Sequence, residues 1–156
     1  MTKESTIQYE NPELCQKCKG RCCKQCGCHF SPDDFAKLTE EFLRNEILKG
    51  YIAIDLVSKY DEGVEKDTWI LRIRNRNEGI VQRNFRGGQC ILQMEEGCKL
   101  SFKKRPKGGR ELIPSEDYNC YTRYDIGPCC EDWWPYQKIL EKLVEEFEGK
   151  DIPCSI

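Results

Sequence analysis

The sequence predicts an α+β domain, small and irregular, held together by metal, with two main amphipathic helices and a short antiparallel hairpin or sheet. Three observations carry that expectation. Apolar residues recur at helical spacing twice, in Phe35, Leu38, Phe42, Leu43, Ile47 and Leu48, and again in Tyr136, Ile139, Leu140, Leu143, Val144 and Phe147. Between these stripes lie two β-branched runs, residues 51–57 and 68–74, that read as strands. Six cysteines and the only histidine crowd into residues 15–29, where the spacers are Lys, Gln, Gly and Arg rather than core residues.

In chain order, residues 1–14 read as a mobile polar lead-in that closes on the turn signal Asn11-Pro12. After the cysteine-dense stretch, Ser31 is placed to cap a helix, Pro32 suits its first position, and Asp34 completes a capping box. The stripe that follows predicts one helix over residues 33–48, stopped by Gly50. Residues 51–57 and 68–74 predict a hairpin with a long polar loop, and Ile80-Val81-Gln82-Arg83-Asn84-Phe85 a third short strand. Gly87-Gly88 opens a second cysteine region, and Cys120 with Cys129-Cys130 falls in an aromatic-rich stretch that reads as irregular. Pro135 fits the first turn of the last helix, and Gly149 ends it. No repeat or low-complexity linker divides residues 1–156, so a single cysteine-rich domain is expected.

Composition points to a stabiliser other than burial. Hydrophobic residues are 38%, but 12 of them are cysteines, and charged residues are 33%. Chains this polar lean on metal or disulfides. The N-terminus has no apolar signal region, and no window approaches a membrane span. A cytoplasmic chain follows, in which clustered thiols bind metal rather than pair, although an even cysteine count leaves disulfides arithmetically open. The net charge of −2 gives no general drive toward nucleic acid or anionic membrane.

The residues at the centre of this reading are Cys15, Cys18, Cys22, Cys23, Cys26 and Cys28. Thiolates two or three residues apart turn back on one ion, as in the knuckles of zinc and iron–sulfur sites. Adjacent side chains diverge, so Cys22-Cys23 and Cys129-Cys130 are expected to face different ions or to have one member bridge. Sites built from both pairs would clamp the N-terminal loop to the last helix. Cys90, Cys98 and Cys120 are further candidate ligands, Cys90 lying close to the apolar Ile91-Leu92, and Cys154 is the least committed thiol. His29 could complete a Cys3His zinc site or donate to a ligand from outside it. Lys99 to Arg110 holds six basic residues around Phe102. That run suits phosphate or single-stranded nucleic acid, or it stabilises the nearby thiolates by charge, which is the reading preferred here.

Cys15, Cys18, Cys22 and Cys23 form the pattern CxxCxxxCC, which resembles the first motif of the cysteine-cluster family of zinc- or iron-chelating proteins. The family's second block is matched by Cys90, Gly97-Cys98, Arg105-Pro106, Arg110 and Pro114. Gly109 stands where the family has a cysteine, and the intervals from Cys98 to Arg105 and from Arg110 to Pro114 are each one residue longer than in the family's pattern. Cys26, Cys28 and Cys120 are extra cysteines that could replace the missing ligand. The family is similar to the metal-binding part of flagellin lysine methylases, which implies an iron–sulfur link. No GxGxxG follows a strand to suggest a methyl-donor region.

The expected function is a cytoplasmic metal-binding protein holding zinc or a four-iron four-sulfur cluster, in a structural or redox role, with a protein or peptide partner. The alternative is an enzyme or accessory subunit of a metal-dependent, methylase-like system that modifies protein or peptide. Its catalytic residues are not marked in the sequence.

Overall fold

A computed structural model describes residues 27–61, 63–84, 87–94, 97–113 and 121–155. The lead-in over 1–14 and the candidate ligands Cys15, Cys18, Cys22, Cys23, Cys26 and Cys120 lie outside the described residues, as does Pro114. The fold is α+β. Strand β1 (Ile52–Val57) pairs antiparallel with β2 (Thr68–Ile73), setting Ile52 opposite Ile73 and Ile54 opposite Leu71, as the predicted hairpin requires. A short β3 (Val81–Gln82) joins the other edge of β1, but parallel to it, so the sheet is mixed with order β2-β1-β3. Two antiparallel two-residue ribbons, β4 (Gln93–Met94) with β5 (Gly97–Cys98) and β6 (Leu112–Ile113) with β7 (Tyr121–Thr122), and isolated bridges of His29 with Arg72 and of Asn75 with Cys90 make up the further pairings among the described residues.

The helices are α1 (Glu40–Ile47), α2 (Lys107–Arg110), α3 (Ile126–Trp133) and α4 (Gln137–Phe147). The helix predicted over 33–48 is in fact two pieces. The capping box at Ser31 forms, yet only a single 3-10 turn, Pro32–Asp34, follows it. Phe35 then turns extended, and Thr39 caps α1 afresh by accepting the Phe42 N–H. The reason is tertiary. Phe35 stacks on Phe30 and Trp133, and the Asp34 carboxylate is engaged by Lys107 and Arg110, so the two residues are held away from a helical course.

The stretch around Cys129 and Cys130, read as irregular, is helix α3. Its Gly127-Pro128 looks like a breaker in sequence, but proline is tolerated in a first turn, where N–H groups have no intrahelical partner. Glycine is needed because a Cβ at 127 would lie 2.5 Å from the Gly63 carbonyl oxygen. The predicted last helix is α4, with Pro135 in the 3-10 turn Trp134–Tyr136 just before it.

Helices α3 and α4 pack on β2, and α1 packs on α4 and β1. Leu43, Ile47, Leu140, Leu143, Phe147 and Trp133 are fully buried in the resulting core. Each such side chain contributes about 1.5–3 kcal/mol of transfer free energy. The sheet also buries charge. Arg72, 3% exposed, bonds Asp55 at 3.1 Å and Glu78 at 2.6 Å. Burial pushes the Asp55 carboxyl up, more than the Arg72 charge pulls it down. Arg74 ties the end of β2 to the C-terminal tail through the Gly50 and Ile152 carbonyls and Asp151. Among the described residues no helix is long and apolar enough to cross a membrane.

Candidate metal centre

The cysteine-dense stretch enters the described structure at Gly27, and residues 27–30 are fastened from three sides. The first is the free edge of β2. Phe30 N–H donates to the Leu71 carbonyl and Ile73 N–H to the Cys28 carbonyl, each at 2.8 Å, with His29 opposite Arg72. Gly27 N–H donates to Asn75 Oδ1 at 2.7 Å. Only glycine passes here, because a Cβ on residue 27 would sit 2.1 Å from the Ile73 carbonyl oxygen.

The second side is α2. Gly108 N–H donates to the His29 carbonyl at 3.1 Å, and a Cβ at 108 would lie 2.8 Å from that oxygen. The neighbouring Gly109 leaves a space that Cys28 enters, its Sγ lying 3.4 Å from where a Cβ on 109 would be. Asp34 locks α2 in place, accepting from Ser31 N–H and Lys107 N–H at 2.9 Å each and from Arg110 at 2.7 Å. The third side is α3, where the Trp133 indole N–H at 2.8 Å and the Cys129 thiol at 3.6 Å both donate to the Phe30 carbonyl.

His29 and Asn75 set the polar character of this corner. His29 Nε2 lies 2.6 Å from the Tyr124 carbonyl oxygen. Burial lowers the His29 pKa, against smaller upward pulls from that carbonyl and Asp125, so the ring is neutral near pH 7. Lys107 Nζ stands 4.5 Å over the Tyr124 ring. Asn75 is 1% exposed. Its backbone N–H donates to Glu78 and its Oδ1 holds Gly27, but its Nδ2 finds no hydrogen-bond partner among the described residues. An unsatisfied buried amide costs about 1–3 kcal/mol, so such a group calls for an explanation. Asn75 is also where two cysteine regions converge, since it bridges to Cys90 and holds the residue between Cys26 and Cys28.

The candidate ligands are thus distributed unevenly. Cys28 faces Gly109, buried Cys90 pairs with Asn75, and half-buried Cys98 lies opposite Gln93. Cys129 and Cys130 are buried in α3 and diverge, as adjacent residues must, the one toward Phe30 and Tyr124 and the other toward Thr68. Burial raises the Cys129 pKa far above the usual thiol range and that of Cys130 to about 11. Burial thus disfavours the thiolate form of both. Cys154 lies half-buried in the tail over Gly50. Among the described residues no three His, Cys, Asp or Glu side chains gather as a metal-binding group. Sequence reasoning missed Asn75 and the Gly108-Gly109 cradle. The glycine doublet was the available signal, and nothing local marks Asn75.

Comparison of the chain with protein-family models, with curated proteins and with solved structures found no match, so the centre is read from its own residues.

Proposed function

We propose that this protein binds zinc or an iron–sulfur cluster through clustered thiolates, in a structural or redox role. The observation that carries the reading is the fastening of Gly27-Cys28-His29 to β2, α2 and α3, which fixes the end of a stretch holding six cysteines. A stretch so dense in thiols and with Lys, Gln, Gly and Arg as spacers offers little to core packing, whereas a metal site needs its ligands preorganised. The donor chemistry fits. Cys28 Sγ lies beside Gly109, 3.4 Å from where a side chain there would begin, and so would offer a thiolate near the position where the resembled family has a cysteine. Cys15, Cys18, Cys22, Cys23 and Cys26 would give the other N-terminal ligands, with Cys90, Cys98 and Cys120 from the second region. The orphaned Asn75 Nδ2 and the cationic Lys107 suit a negatively charged thiolate site. Cys129 and Cys130, buried in α3, would have to give up their protons to join the ligands. When bound, an iron–sulfur cluster would supply one-electron chemistry, and zinc would supply folding free energy.

Anaerobic purification with metal analysis and a visible spectrum tests this. Iron with sulfide and a broad absorption band is expected for a cluster, and stoichiometric zinc in colourless protein for a structural ion. Protein with neither, and with its cysteines oxidised to disulfides, would remove the proposal.

One observation favours the alternative, an enzyme or accessory subunit acting on protein or peptide. Beside the anchored segment lies a groove of about 330 Å3 with Phe30, Phe35 and Tyr51 in its wall and Lys103, Lys104 and Arg105 at its edge. Its acids are already engaged, Asp34 by Arg110 and Glu46 by Lys49 and Tyr51. Such a groove suits an acidic segment carrying an aromatic residue. A labelled peptide of that composition should bind at low salt and weaken on Lys103→Glu/Lys104→Glu; no binding even at low salt removes this reading.

A further inference from the structure

We infer that the cleft between β3 and the end of α4 binds a small organic carboxylate, which takes the place of Asp151 on the buried Arg74 guanidinium. The cleft measures about 630 Å3 and is lined by residues 74, 77–82 and 149–151, none of them a thiol. That volume is of the size that holds small ligands. Its walls stand back from one another. A Cβ on Gly149 would meet no atom within 4 Å, and one on Gly79 would meet only the Lys150 carbonyl oxygen, at 3.7 Å.

Arg74 is 6% exposed, and a cation so buried needs an anion beside it. Its Nε donates to the Glu78 carbonyl and its Nη1 to the Gly50 and Ile152 carbonyls, all neutral acceptors. The Glu78 carboxylate is taken up by Arg72 and the Asn75 N–H. Among the described residues the counter-charge is therefore Asp151 alone, whose Oδ1 accepts from Nη2 at 2.8 Å. The Asp151 side chain is 90% exposed. A carboxylate that already stands in water gains little from its ion pair and gives up little on leaving it. The guanidinium has five N–H groups, and these four bonds leave one Nη2 hydrogen over for a second ligand oxygen. Lys150 lines the same cleft, its Nζ 5.9 Å over the Phe147 ring, and forms no ion pair among the described residues. Two cations against one loosely held anion attract negative charge. The group now at Nη2 shows which anion the position accepts, and the Asn77 and Gln82 amides in the lining suit a polar rather than an aliphatic acid.

The test is titration of the full-length protein with succinate, followed by amide signals in nuclear magnetic resonance, wild type beside Asp151→Asn at an ionic strength held constant with sodium chloride. Asparagine keeps a carbonyl oxygen for Nη2 and removes the competing charge, and so exposed a position spares the fold. The Gly79 and Gly149 amides should shift in both proteins. Asp151→Asn should bind succinate about tenfold more tightly, since a site closed by its own carboxylate loses apparent affinity in proportion to the closed fraction. Lys150→Gln added to Asp151→Asn should weaken binding again, by about threefold. Equal affinity in wild type and Asp151→Asn would overturn the displacement and with it the inference. Shifts that sodium chloride or the uncharged dimethyl ester of succinate reproduces would overturn it too, as would unmoved Gly79 and Gly149 signals in both proteins at millimolar succinate.

Discussion

At the scale of single residues, the centre depends on atoms that are missing as much as on those present. Gly108 has no room for a methyl group, because the nearest neighbour is the His29 backbone rather than a flexible side chain. Gly108→Ala should therefore push residues 27–30 off α2 and cost about 1–3 kcal/mol of stability in urea unfolding, as overpacking does. A loss below a few tenths would mean that the contact yields freely. Cys28→Ser is nearly isosteric, so folding should survive while metal content falls; full retention of metal would show that Cys28 is not a ligand. The density and spacing of the cysteines are plain in the sequence, because spacing is local. That Cys28 meets Gly109, 81 positions on, was not legible, since only the fold brings them together. The same holds for Asn75, whose importance lies in what its side chain reaches.

At the scale of elements, the amphipathic stripes located α1 and α4, and the β-branched runs located the hairpin, because periodicity reports one-sided burial directly. Sequence reasoning failed where tertiary contacts overrode a local signal. Asp34 caps a helix start but is also spent on α2, so the predicted helix over 33–48 breaks after one turn. Helix α3 hides behind Gly127-Pro128. Its two cysteines give a test of their surroundings. At neutral pH in the native state, Cys129 and Cys130 should resist alkylation, which mass spectrometry of labelled peptides would check. Rapid labelling of either would contradict their burial. Cys130 also makes stability depend on alkaline pH. Its folded pKa of about 11 exceeds the ordinary 9.0, so its contribution is complete below about 9 and is lost as pH rises through about 11. Cys130→Ala should flatten thermal stability across that window relative to wild type; an unchanged slope would assign the dependence to other groups.

Across the described residues, a hydrophobic core and a buried ion group on β2 contribute to stability. Arg72 bonds two carboxylates at once, Asp55 and Glu78. Arg72→Met would leave both without a cation and should cost about 3–5 kcal/mol. A loss under about 1 kcal/mol in chemical denaturation would show that water reaches and screens them. The low apolar content suggested a fold dependent on metal, yet the described residues enclose a continuous core of their own. Composition averages over the chain and could not separate a thiol-rich segment from a well-packed remainder.

The three-sided fastening of residues 27–30 has a consequence for how the protein is made. Leu71, Gly108 and Trp133 all follow the anchored segment in the chain, and the last contact, Trp133 to Phe30, spans 103 residues. Translation at about 5–20 residues per second exposes the cysteine-rich segment for roughly 5–20 s before that partner has even been synthesised. Residues 27–30 thus leave the ribosome well before the partner on α3 that holds them. On the metal reading proposed above, loading of the complete site would be a late event, coupled to the arrival of α3 rather than to emergence of the ligands.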